Sequence, residues 1–356
     1  MAKRNYGLDI ARIAAMLGII ILHILGQGGI LDSCQFGSPQ YAVAWWLEIC
    51  AYTSVDLFAL LSGWLGIYKA KSSVFRVFEL MATVFFYSVL ITIGFGTARP
   101  DLMEGLKDVI TGIVPALAGS YWYITCYIPL AVLQPYLNRM LLSLSLKQHK
   151  MLAALFAFLF SLIPSLASED FFALSNGYST FWLIIAYVIG ACLKRMDTEK
   201  RIDLPLGLCL CGFVGASVAL LLGDLLLGRI AGRNIAYFVA YTSPVTLLMG
   251  ILCLLALKNV PVRKFQSGFV SLAGKAFDVY IIHCHILIFD YVMKDRFTFI
   301  IEEFPLPMIP IAVVCLSILI YLALCIAGAL REFLFKKLCI VRALKWVAGR
   351  VDNIIY

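Results

Sequence analysis

The chain has 356 residues, of which 62% are hydrophobic and only 14% charged, and its mean hydropathy is +0.93. Repeated continuous apolar runs of membrane length exclude an ordinary soluble domain. A closed β-barrel would instead show alternating segments of about ten residues, so the class is an all-α polytopic membrane protein in contact with the lipid bilayer. The formal net charge of +8 comes mainly from Lys and Arg in loops and implies no nucleic-acid partner.

In chain order, ten spans are predicted: 8–28, 43–67, 75–95, 117–137, 150–166, 178–193, 204–226, 236–257, 270–290 and 307–330. With the N-terminus inside, the inner segments hold twenty-one Lys and Arg and the outer segments six. That asymmetry predicts about ten transmembrane helices with both termini cytoplasmic in a multi-pass cell membrane protein. The short basic start at Met1–Arg4 lacks a small-residue cleavage site at the right distance, so the first helix is expected to be retained. Residues 331–356 alternate basic and apolar positions at helical spacing and are expected to lie on the inner leaflet as a basic amphipathic cytoplasmic tail. In the 96–116 loop, Pro100 and Pro115 flank a polar stretch that predicts a short interfacial helix. No broken helix, internal repeat or metal-ligand spacing is evident. Most of the eleven cysteines fall in apolar helices, where cysteine acts as a small hydrophobe.

The first span, Tyr6–Ile24, carries charge at its entrance and an imidazole deep inside. Arg12 and His23 lie about 20° apart around the helix and roughly 16 Å apart along it, and Asp9 falls near the same stripe. Asp9 and Arg12 fit either a structural ion pair or a functional role. His23 sits among Ile and Leu, so it needs a hydrogen-bond partner or a wet cavity. It reads as a satisfied structural histidine or as a general base, a role its two nitrogens and near-neutral pKa suit. In the second span, Asp56 could orient His23 or pair with a basic side chain elsewhere. Ser62 and Gly63 would allow another helix close approach. The aromatic run Ser120–Tyr127, with Trp122 and Tyr123, reads as an interfacial belt or as a sugar-stacking surface. In the ninth span, Tyr280 and His283 can share a face. His283 and His285, two apart, point to different sides, which argues against chelation by the pair. His283 is expected in the polar interior and His285 near the outer surface.

These residues carry a resemblance. Leu8, Asp9, Arg12 and His23 resemble the first-helix pattern of the membrane-bound acyltransferase-3 family, an LDxxR element with the arginine spaced ahead of a histidine. Val55–Leu65, the Trp122–Tyr123 step and Tyr280–His283 resemble its later elements, and the likeness spans essentially the whole chain, with 1–330 expected as the transmembrane acyltransferase domain. It implies O-acyl transfer, usually of acetyl, from cytoplasmic acyl-CoA to an envelope glycan or lipid-linked sugar acceptor, with acetyl-CoA as donor substrate and no permanently bound cofactor. Acyl transfer needs a base, and the isolated imidazole makes His23 the expected one, with Asp56 as the carboxylate that could orient it. Arg12 would hold the CoA phosphates or stabilise developing charge, with Arg76 as a second donor-binding residue. Trp122, Tyr123 and His283 would bind acceptor, while Asp9, Ser62, Gly63 and Tyr280 would be structural. The alternative is a transporter of an envelope precursor or small solute that uses the same intramembrane polar groups as its pathway.

Overall fold

The computed structural model describes residues 4–69, 74–102, 105–114, 121–232, 236 and 238–355, with the backbone alone at 106–108 and 352–355. Lys3, Lys71, Pro115, Ser120 and Arg233, and the side chain of Lys107, lie outside the described residues. The helices in chain order are α1 (Gly7–Leu25), α2 (Ile30–Ser33), α3 (Pro39–Gly66), α4 (Val74–Ala98), α5 (Leu106–Ile113), α6 (Trp122–Ser143), α7 (Leu146–Ala157) and α8 (Ile163–Ala167). They continue with α9 (Thr180–Thr198), α10 (Leu206–Ala231), α11 (Pro244–Lys258), α12 (Gln266–His283), α13 (Ile286–Ile288), α14 (Phe299–Glu303), α15 (Ile309–Lys337) and α16 (Ile340–Ile355).

Local sequence sets many of these starts. Ser38 accepts a hydrogen bond from the Tyr41 amide at 3.1 Å with Pro39 next in line, and Ser179 caps α9 through the Trp182 amide at 3.2 Å. Ser145 and Gln148 close a reciprocal capping box at the start of α7. The 96–116 loop does contain a short helix, α5, packed on α4.

The centre of the bundle is α3, which packs along α1, α9 and α11. Gly63 and Gly190 make the α3–α9 approach possible. A methyl group on Gly63 would strike the Tyr187 carbonyl oxygen, and one on Gly190 would strike that of Leu60. The periphery is the reverse: α10 leaves Leu208, Leu210, Val214, Leu222, Leu226 and Ile230 exposed. Such a continuous apolar outer surface is stable facing hydrocarbon, not water.

Among the described residues, six helical segments are long and apolar enough to cross a membrane, or seven if the bent pair α12–α13 counts as one span. The predicted spans at 117–137, 178–193 and 236–257 fall short for visible reasons. Helix α6 contains Pro129 and Pro135 together with Gln134, Asn138 and Arg139, α9 ends in charge, and α11 has only 15 residues. The expectation of unbroken helices is corrected, since α12 ends at His283 and the chain turns by 68° before Ile286–Met293. Helix α15 runs on through Lys337, and Arg331 turns inward to donate to both Asp278 oxygens, at 2.8 and 2.9 Å. The amphipathic segment proper is α16, which packs against α4.

Candidate active site

Helix α1 delivers Arg12 and His23 to two different cavities. The Arg12 cavity, of about 800 Å³, is also lined by Lys69, Arg76, Ser62, Tyr127 and Gln134. The His23 cavity, of about 370 Å³, is lined by Glu48, Tyr52, Trp122, Tyr178, Tyr241 and Cys284 among others. Ile19, Tyr123 and Tyr280 line both and form the wall between them. The single polar stripe read along α1 is therefore two chambers meeting at one aromatic partition, and Tyr280, expected to be structural, belongs to that partition.

In the Arg12 cavity three cations converge. Arg12 stays partly exposed, 3.8 Å from Asp9, while Asp9 itself is held more tightly by Arg4 through bonds of 2.7 and 2.9 Å. Lys69 follows the end of α3, where Asn138 caps the helix by donating to the Gly66 and Lys69 carbonyls at 2.9 and 3.0 Å. Burial against the cavity wall, then the charges of Arg76 and Arg12, push the Lys69 ammonium down to about 8. Arg331, Glu79, Asp278 and Glu332 also line this cavity; within it the cluster of two guanidiniums and an ammonium at Arg12, Arg76 and Lys69 suits a polyanionic group such as phosphate.

His23 stands in the last turn of α1 and is partly open to its cavity. The glycines after it do more than loosen the helix. Gly29 adopts φ +87°, and the Gln27 and Gly28 carbonyls accept from the Asp295 and Phe297 amides at 2.9 and 3.0 Å. A side chain on Gly28 would collide with Phe297, so this crossing needs the glycine.

The break after α12 turns three groups toward one another. The His23 and His283 rings lie 5.1 Å apart, and Phe289 presents its ring edge-on to His23 at 5.0 Å. The Cys284 Sγ is 3.4 Å from His283 Nε2 and 3.8 Å from His23 Nδ1. His283 Nδ1 donates to the Val279 carbonyl at 2.6 Å, which leaves Nε2 as the acceptor facing the thiol. One ligand atom from each of His23, His283 and Cys284 lies within 4.8 Å of the others. No spacing in the sequence signals this cluster, because residues 261 positions apart meet only in the fold.

Several expected positions change. Asp56 accepts from Trp182 Nε1 at 2.8 Å and lines neither cavity, so it ties α3 to α9 and does not orient His23. The reason is helical phase. Glu48, Tyr52 and Val55 form the stripe facing His23's cavity, and Asp56, one turn after Tyr52 and about 40° beyond it, is at the stripe's edge, where Trp182 of α9 takes it up. His283 is buried behind Cys284 and does not line the His23 cavity, whereas Trp122 and Tyr123 do. His285, expected near the surface, is fully buried and bonded through Nε2 to the Gly112 carbonyl at 3.0 Å. Ser62 lines the Arg12 cavity and donates to the Phe58 carbonyl at 3.0 Å.

Glu48, Tyr52, Lys69 and Cys284 were missed as site residues. Glu48 had a usable signal, an acidic group inside a membrane-length run. It is buried, and its Oε2 has no hydrogen-bond partner among the described residues. Cys284 had none, since its meaning depends on the helix break.

No curated protein and no solved structure matches the chain. The sequence profile of an acyltransferase domain matches residues 5–329, a span that includes α1, both cavities and the Cys284 break. The protein, an α-helical chain with several helices apolar enough to span a membrane, therefore belongs to the acyltransferase-3 family.

Proposed function

We propose that the protein transfers an acyl group, acetyl as the first candidate, from acyl-CoA to a hydroxyl of a cell-envelope carbohydrate or lipid-linked sugar. The observation that carries this reading is the pair of chambers with a shared wall, one holding the Arg12, Lys69 and Arg76 cluster and the other lined by an imidazole and a tyrosine-rich surface. Arg12, Lys69 and Arg76 would hold the CoA phosphates. The pantetheine arm would pass Ile19, Tyr123 and Tyr280, covering the roughly 16 Å that α1 sets between Arg12 and His23. His23 Nε2 would take the proton of the acceptor hydroxyl as its oxygen attacks the acyl carbonyl. Trp122, Tyr178 and Tyr241 offer flat faces and hydroxyls to a sugar, and the unpaired Glu48 carboxyl offers it an acceptor of hydrogen bonds.

In this reading the six long apolar segments are joined as spans by α6, α9, α11 and the bent α12–α13 pair. That gives ten crossings of the cell membrane with both termini cytoplasmic, and puts the Arg12 chamber on the donor side.

The test is transfer of labelled acetyl from acetyl-CoA to mixed envelope glycans by the purified protein. His23→Ala should lower transfer by about 100-fold or more with donor affinity kept, whereas Arg12→Ala should weaken acetyl-CoA binding. Transfer at the wild-type rate by H23A would remove the base assignment. A transporter reading gains one observation, the helix broken beside intramembrane polar groups. Vesicles that accumulate unmodified solute and form no acylated glycan would favour it instead.

A further inference from the structure

We infer that Cys284 is the acyl carrier of the reaction, receiving the acyl group as a thioester before the acceptor does. The inference rests on the acyltransferase reading and deepens it.

The geometry behind it is local and specific. Cys284 is the residue at which α12 stops, so its side chain is set by the break and not by helix packing. It lines the His23 cavity and is flanked by two imidazoles with separate tasks available to them. His283 is locked by its bond to Val279, with Nε2 held at 3.4 Å from Sγ, a base for the thiol. His23 has its Nδ1 at 3.8 Å from Sγ and no partner for Nε2 among the described residues, which leaves Nε2 for an incoming hydroxyl. A buried cysteine serving only as a small hydrophobe needs neither neighbour. A reaction with a single attack on acyl-CoA needs only one of the two imidazoles.

In the first half-reaction, the Sγ–H proton passes to His283 Nε2 as Sγ adds to the acyl carbonyl of acyl-CoA. The carbon–sulfur bond to CoA then breaks, and the departing CoA thiolate takes the proton back from His283. In the second, an acceptor hydroxyl gives its proton to His23 Nε2 while its oxygen attacks the acyl-Cys284 carbonyl. The bond to Sγ breaks, Sγ is reprotonated from His23 Nδ1, and the ring regains its first tautomer by proton exchange. One thioester is exchanged for another and then for an ester, with no oxidant or reductant required.

The experiment uses purified full-length protein with acetyl-CoA and no acceptor. Wild type should exchange label between acetyl-CoA and free labelled CoA, and the peptide containing Cys284 should gain one acetyl group that hydroxylamine removes. Cys284→Ala should lose exchange by at least about 100-fold, and Cys284→Ser should form a slowly turning-over ester. Steady-state kinetics with both substrates should give parallel double-reciprocal lines. Glycan acylation by wild type without exchange or label at Cys284 would overturn the carrier role while leaving the acyltransferase reading intact. Glycan acylation at the wild-type rate by C284A would do the same. Loss of acetyl-CoA binding altogether would sink the acyltransferase reading first. About one equivalent of zinc in the purified protein, absent from C284A, would reassign the three side chains to a metal and overturn the proposal. Should C284A fail to fold, the wild-type exchange and peptide mass decide the question alone.

Discussion

At the end of α3, Lys69 sits where a small change in proton concentration alters the charge of a whole chamber. Its ammonium is pushed down to about 8 by burial and by Arg76 and Arg12, so it is charged at neutral pH and neutral well above it. If the chamber binds phosphate, donor affinity should be full below that value and decline as pH rises through it. The apparent KM for acetyl-CoA should therefore rise between about pH 7 and about pH 9, and Lys69→Met should flatten that rise. Equal slopes in the two proteins would remove Lys69 from donor binding. The same residue scale explains why Asp56 misleads. An acidic group in an apolar run signals that something must compensate it, but not what. Here the compensation for Asp56 is the Trp182 indole, while Glu48, two turns earlier, faces the cavity unpaired.

At the scale of elements, the decisive features are a break and a continuation. The break between α12 and α13 lets Cys284 and His283 reach His23, and His285 holds the turn by accepting from the Leu287 amide at 3.3 Å and bonding Gly112 across to α5. The continuation is α15, whose Arg331 neutralises Asp278 in a network that also includes the Tyr87 hydroxyl at 3.0 Å. Replacing Arg331 with Met leaves a buried carboxylate without its cation, at a cost of about 3–5 kcal/mol. The thermal inactivation midpoint in detergent should fall accordingly, whereas truncation after Leu338, which removes α16 and keeps the pair, should leave it much closer to wild type. A larger loss from the truncation would return the anchoring role to the amphipathic segment.

At the scale of the whole molecule, the proposed arrangement of ten crossings with both termini cytoplasmic makes a direct expectation. Cysteine-labelling reagents or reporter fusions placed at either terminus should react only from the cytoplasmic face. A terminus reached from outside would invert or odd-number the arrangement, and with it the side on which the Arg12 chamber opens in the proposed reaction. How much of this was legible beforehand varies by residue. That Arg12 and His23 share a face of one helix could be read from their spacing, because helical phase is fixed at about 100° per residue, while Trp122 and Tyr123 stood out only as an aromatic run. Cys284 could not, since it needs a helix to stop, and Glu48 carried the signal of an acid in an apolar run but not which face of α3 lines the cavity.

Sequence alone determined the membrane class, the helical character and the family likeness, because hydropathy and helical period are local quantities that each stretch of chain carries by itself. Only the tertiary structure decided that Arg12 and His23 open into separate chambers, that Asp56 belongs to packing, and that a thiol stands between two imidazoles. Those outcomes depend on how distant helices pack around space, and a helix does not encode its neighbours in its own periodicity.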